Sequence, residues 1–144
     1  MTDGYNLYRF LSAQEPVYDT VLDELRAGRK SSHWIWFIFP QITGLGRSAM
    51  AQKFAIGSLN EAKAYLKHPV LGPRLRECTQ LVLDVNGRSA KEILGYPDHL
   101  KFRSCMTLFL TAATDNTLFN SALLKYFDGK PDQMTLDILA QQSF

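Results

Sequence analysis

Cysteine is close to absent from this chain: only Cys78 and Cys105 occur in 144 residues. Neither sits in a CxxC spacing or in His/Cys company suited to zinc, so the expectation is two reduced core thiols and no metal site. Charge of one sign is equally scarce. Sixteen basic and fourteen acidic residues leave a formal +2, with no block of like charge that would act as a nucleic-acid arm, and no nucleic-acid partner is expected. Long apolar runs are missing too. Nothing approaches a membrane span, and MTDGYNLYRF puts an acid and an arginine where a signal peptide needs a basic stub and an apolar run. A cytoplasmic protein without a membrane partner follows as the expectation. Internal repeats, low-complexity tracts and linkers are also lacking, and a chain of this length with 46% apolar residues predicts one domain over 1–144.

Strand signals are the last scarcity, and helical ones fill the space. Asp3 is placed to cap a short helix over Tyr5 to Leu11. In EPVYDTVLDELRAGRK, Val17, Val21, Leu22 and Leu25 share a face and Gly28 supplies a left-handed stop. Ser58 with Glu61, and Ser89 with Glu92, have the capping-box spacing in which side chain and backbone satisfy each other's orphan groups. Leu71, Leu75, Cys78, Val82 and Val85 step by four and three along a long amphipathic helix. Asp98 to Ala113 is apolar on most sides over its second half, the mark of a central helix. NTLFNSALLKYFDG and PDQMTLDILAQ complete the chain as two more helices, broken at Gly129 and Pro131.

The six-residue apolar run WIWFIF fits a buried strand by aromatic and β-branched content. A strand needs a partner, however, and no second convincing strand exists. Unpaired, its backbone groups would each cost on the order of 1 to 3 kcal/mol. The prediction is therefore a short buried helix from Ser31 to Phe39, capped by Ser31 or Ser32, at the centre of an all-α multihelical bundle.

The loop that follows, Gln41 to Ser48, carries the sharpest functional signal. Gly44 and Gly46 allow a tight turn, Ser48 can cap the next helix, and Arg47 stands at that helix's start, where a cation opposes the dipole unless an anion arrives. Such a terminus can bind phosphate or carboxylate. The plainer alternative is an ordinary turn and cap with Arg47 solvated or ion-paired. GLG lacks the GxGxxG spacing, a preceding strand and a Walker lysine, which excludes the common nucleotide folds.

HWIWFIFPQ, the GLG after it, SAMAQKFAI, EAKAYLKHPVLGPRL and D-x-LKFRSCMTLF stand in this order and spacing. On these motifs the chain resembles the bacterial family catalogued as domain of unknown function 1810, from about Tyr8 to about Phe109 and into the last helices. The resemblance implies a compact, mainly helical single-domain fold and no established activity. Some members carry the label calpastatin, but calpastatin repeats are disordered and the aromatic content here is that of a packed core. KF followed by a long helix and a later acidic residue is also similar to the NADAR group of helical N-glycosidases acting on ADP-ribose-type compounds. That likeness implies an ADP-ribose derivative as a ligand to test, and no catalytic residue aligns with it.

Among the remaining polar residues, His33 beside Trp34 is a candidate ligand contact or acid/base group, the plainer reading being a hydrogen-bonded core histidine. His68 before Pro69 fits a helix C-terminus, and Asp98 an N-cap. Lys53, Arg74 and Arg76 read as solvated faces. If Lys53 and Arg103 converge on the GLGRS loop, however, a cationic pocket with an aromatic wall results. The candidate binding set is His33, Trp34, Trp36, Gln41, Gly44, Gly46, Arg47, Ser48, Lys53 and Arg103. Its expected ligand is small, anionic and nucleotide-like or phosphorylated. No catalytic triad, HExxH or cofactor motif can be read from local spacing, so no cofactor is expected and whether the protein is an enzyme stays open. The alternative is a protein–protein interaction module, and the expected state is a monomer or weak homodimer.

Overall fold

The computed structural model describes residues 3–142, and within them the chain forms ten helices. They are α1 (Tyr8–Gln14), α2 (Tyr18–Arg26), α3 (Ile35–Ile38), α4 (Ala49–Lys53), α5 (Leu59–Lys67), α6 (Leu71–Leu83), α7 (Ala90–Leu94), α8 (Asp98–Ala112), α9 (Thr117–Phe127) and α10 (Gln133–Gln142). The all-α class expected from the sequence is what the structure shows. Helix α8 is the central one: Phe102, Cys105, Met106, Leu108 and Phe109 are fully buried, and α5, α7, α9 and α10 pack around it. Both cysteines are free and buried. No helix among the described residues is long and apolar enough to cross a membrane.

Caps that act over three residues form where the spacing puts them. Ser48, Ser58 and Ser89 each accept a backbone N–H from the residue three positions on, and Ser89 with Glu92 closes a reciprocal box. At Ser58 the box stays open, because Glu61 turns instead to the Gly57 N–H and to Arg9. Asp3 reaches further than expected: its carboxylate takes the N–H groups of Leu7 and Tyr8, so the first helix starts three residues late, at Tyr8. His68 ends α5 as expected, its backbone N–H bonding back to the Ala64 and Tyr65 carbonyls, and its Nδ1 accepts the N–H groups of Val70 and Leu71 at the start of α6. One more expectation is corrected. Asp98 is the first residue of α8 rather than its cap, ion-paired with Lys30 at 2.8 Å and with Lys101 at 3.6 Å.

The aromatic helix forms, but only over Ile35–Ile38, with Trp34 rather than a serine at its cap position. The shortening has one cause. Glu24 on α2 accepts the backbone N–H groups of Ser31 and Ser32, the Ser32 hydroxyl and the Trp34 indole N–H. The serine donors that a longer helix would have left unsatisfied thus go to a carboxylate. Phe39 then packs edge-on against Phe102 of α8 at 4.8 Å, and Phe37 meets Phe54 at 5.3 Å. Trp34, Ile35, Phe37, Ile38 and Phe39 enter the core, whereas Trp36 remains half-buried.

Candidate functional site

After Pro40 the chain leaves the core and comes back to itself. Ile42 and Ile56 form an isolated parallel bridge, with the Thr43 N–H on the Ile56 carbonyl and the Ile56 N–H on the Gln41 carbonyl, both at 2.8 Å. The bridge closes a loop that contains α4. Inside the closed loop lies a cavity of about 380 Å³ whose wall includes Trp36, Gln41, Gly44, Gly46, Gln52 and Phe54.

The two glycines serve different ends. Gly44 has φ +99°, a conformation L side chains rarely adopt, while Gly46 has no special φ but lies so close to α4 that a Cβ would stand 2.6 Å from the Ala51 Cβ. Ser48 caps α4 by accepting the Ala51 N–H at 3.1 Å, and the Gln52 side chain donates to the Arg47 carbonyl at 2.9 Å. These contacts fix the loop backbone and leave the Arg47 side chain exposed. No hydrogen bond or ion pair within the described residues holds its guanidinium, and none takes the N–H of Gly46 or Arg47. The helix behind Arg47 is only five residues long and its first turn is already capped, so the dipole argument for an anion is weak here and the cavity itself must carry the reading.

One wall group is unsatisfied. The Trp36 indole Nε1 is buried without a hydrogen-bond partner, alone in that respect among the buried side-chain polar atoms of the described residues. Buried N–H groups are normally paired, and an orphan costs on the order of 1 to 3 kcal/mol. The Lys101 ammonium lies 5.2 Å over the same ring. The Gln41 side chain is half-buried, and its amide has no partner in the described residues. The wall holds no histidine, carboxylate, lysine, arginine or cysteine. As built, it offers shape, one aromatic face and neutral donors and acceptors, with no general acid or base.

Of the ten residues singled out in the sequence, Trp36, Gln41, Gly44 and Gly46 share the cavity wall, and Arg47 and Ser48 follow them along the loop. Lys53 closes α4 with its ammonium 5.3 Å over Phe54, and its carbonyl takes a bond from Arg9. The other three are placed elsewhere. His33 is exposed and unbonded rather than a core histidine. Trp34 is fully buried with its N–H on Glu24 at 3.0 Å. Arg103 does not turn to the loop: it donates to the carbonyls of Lys130 and Pro131 and steadies the α9–α10 connection. Wall residues the sequence reading missed include Thr43, Gln52 and Phe54. Gln52 was findable in principle, lying one helical turn beyond the loop.

Glu24, beside this region, is held well below the ordinary carboxyl value. Burial alone would push its carboxyl up, but the hydrogen bonds from the Ser32 hydroxyl, the Ser31 N–H, the Trp34 indole and the Ser32 N–H outweigh it and bring the group down to about 2. Its four bonds are all internal, which makes it an anchor for α3 and not a reactive group.

Comparison with known proteins gives a family and no activity. The sequence profile described as "Protein of unknown function (DUF1810)" matches residues 4–139. No curated protein matches. Among solved structures, the crystal structure of the conserved hypothetical protein Rv1873 from Mycobacterium tuberculosis is similar, with 54% sequence identity and a TM-score of 0.95. The match covers 96% of this chain and 99% of that one. With the profile spanning most of the sequence and that helical fold reproduced nearly end to end, the chain belongs to the DUF1810 family.

Proposed function

We propose that the cavity inside the Gln41–Ile56 loop binds a small anionic, nucleotide-like or phosphorylated compound, of which an ADP-ribose derivative is the first to try. The observation that carries this reading is Trp36, a half-buried indole on a cavity wall with its N–H unpaired, where the other buried side-chain polar atoms of the described residues have partners. A planar ring fits against such a face, and Gln41 and Gln52 supply amides for its polar edge. Arg47, directly after the wall residue Gly46 and without an internal partner, supplies the charge for a phosphate at the cavity mouth. Because the wall holds no acid or base, and so nothing in it to activate its one hydroxyl, on Thr43, the support is for binding rather than for a reaction.

The test is a thermal-shift and tryptophan-fluorescence titration with ADP-ribose, AMP and inorganic phosphate. A ligand present at a hundred times its dissociation constant stabilises by about 2.7 kcal/mol. Fluorescence should change in the native chain and stay flat in Trp36→Phe, which keeps only the buried Trp34. A titration with no shift for any of the three compounds would favour the interaction-module reading. That reading has its own observation, the exposure of Tyr96 (72%) and Leu100 (43%) around the start of α8.

A further inference from the structure

Half-buried arginines in this fold are committed to acceptors, with one exception. Arg9 donates to the carbonyls of Tyr5, Asn6, Lys53 and Ala55 and to the Glu61 carboxylate. Arg74 reaches Gln14 and Glu15, and Arg103 holds two carbonyls. Arg76 on α6 is equally half-buried, stacked 5.2 Å over the Phe119 ring, and none of its N–H donors meets an acceptor among the described residues. Stacking fixes the guanidinium plane while leaving its fork open.

Arg76 borders two neighbouring clefts, and the more basic of them is the one on the α5 side. Arg76 lines a cavity of about 350 Å³ between α5 and the α8–α9 connection, together with Lys63, Lys67 and Asp115. Lys63 and Lys67 are one turn apart on α5 and so share a face. Both are exposed and without a partner among the described residues. Asp115 is the one carboxylate in that wall: its Oδ1 accepts the Thr117 hydroxyl at 2.8 Å and the Thr117 N–H at 3.2 Å, and those bonds, with a smaller contribution from the Arg76 charge, hold its carboxyl below the ordinary value, although the two side chains form no contact ion pair. Three cations therefore share this wall with one carboxylate; the neighbouring cleft that Arg76 also borders adds Asp84, whose Oδ1 accepts from the Gln80 amide. Leu66, Ala112 and Ala113 give the same cleft an apolar side.

We propose that this cleft is a second binding site, independent of the Gln41–Ile56 cavity, which takes a phosphomonoester dianion on Arg76, Lys63 and Lys67. The guanidinium fork matches two oxygens of a tetrahedral anion, and the two ammonium groups add point charge around the third. A monoanionic carboxylate would leave the excess positive charge uncompensated. The apolar side receives the carbon group of the ester.

The test is a residue-resolved NMR titration of the full chain with inorganic phosphate, glycerol 3-phosphate and a short phosphoserine peptide, at constant ionic strength set with chloride. Saturable shifts are expected at the amides of Lys63, Lys67, Arg76 and Thr114. Tighter binding of glycerol 3-phosphate or of the peptide tells a free phosphate ester from a phosphorylated chain as the source. Arg76→Lys keeps the charge and the stem but loses the fork, and should weaken binding about tenfold. Lys63→Gln with Lys67→Gln, both at exposed positions, should weaken it further without altering the fold. Arg47→Ala should leave these shifts unchanged, so that the two sites stand or fall separately. Shifts that fail to saturate, that chloride reproduces, or that survive Arg76→Lys at native affinity overturn the proposal.

Discussion

The stretch from Glu24 to Arg47 divides after Ile35 into two halves that are held in opposite ways. In the first half nearly every polar group near the chain reversal is answered from inside: Glu24 takes four donors, and the Lys30 ammonium bonds the Ser32 carbonyl, pairs with Asp98 and lies over Trp34. In the second half the backbone is pinned by the Ile42–Ile56 bridge and the Ser48 cap, yet the Trp36 N–H, the Gln41 amide and the Arg47 guanidinium go unanswered. Both halves are ordered, so order does not separate them. What separates them is whether the donors have acceptors within the protein: apart from the solvent-exposed His33, it is the second half that leaves chemistry for an outside partner.

The contrast breaks most severely at Glu24. Glu24→Ala leaves a buried indole N–H and two backbone N–H groups without their acceptor, and should cost about 3 kcal/mol in urea unfolding. Acid offers the same test without a mutation. The folded carboxyl sits near 2 against an ordinary value of 4.5, so the unfolded chain binds the proton more tightly. The stabilisation is complete above about 4.5 and drains away as pH falls toward 2, by an amount of about 3 kcal/mol. Glu24→Gln should flatten that limb of the stability profile. A native-like acid slope in the variant would show that other carboxylates cause it.

Glu24 also shows where reading the sequence stops. Ser48, Ser58 and Ser89 were legible as caps because a cap and its N–H are three residues apart, within one turn. The partners of Glu24 lie seven to ten positions on, past the reversal at Gly28, and nothing in local spacing announces them. Periodicity likewise placed α6 and α8 but could not tell Trp34 from Trp36, one sealed in the core and one on a cavity wall. The loop glycines pointed to the right place for a reason only half visible: Gly44 needs its φ, while Gly46 needs the absence of a Cβ against Ala51, a tertiary contact. Arg103 looked like a candidate for the pocket because it is a cation near a helix start. Its actual acceptors, at Lys130 and Pro131, are 27 and 28 residues away.

Arg103 supplies the next test in size. Arg103→Ala removes two side-chain bonds to carbonyls at the entrance to α10 and should cost about 1 to 2 kcal/mol, through neutral acceptors that water can partly serve. It should leave every ligand-induced shift of the loop cavity unchanged. An effect of Arg103→Ala on ligand affinity, with stability untouched, would mean that the residue serves the site and that the division drawn between anchored and open groups is misplaced. Trp36→Phe ranks below it. The substitution deletes an N–H that bonds nothing among the described residues, so chemical denaturation should show a change within about 1 kcal/mol, and a gain in stability is as consistent with an orphaned donor as no change.

Arg47→Ala should have the smallest effect on the ligand-free chain and the most telling one with ligand. Its guanidinium is exposed and bonds nothing among the described residues, and a cation at the start of a helix is if anything slightly unfavourable. Free-protein stability should therefore stay within about 0.5 kcal/mol of the parent. If a phosphate group docks at the cavity mouth, the same variant loses the charge-assisted bonds to it, which lowers affinity about tenfold and removes most of the thermal shift. The two measurements belong together, because a solvated surface arginine predicts the first result and not the second. A variant that loses stability without ligand would mean that Arg47 has an internal role after all. A variant that binds as well as the parent would leave Trp36 and the amides as the whole of the site, and the ligand would then have to be sought among neutral planar compounds.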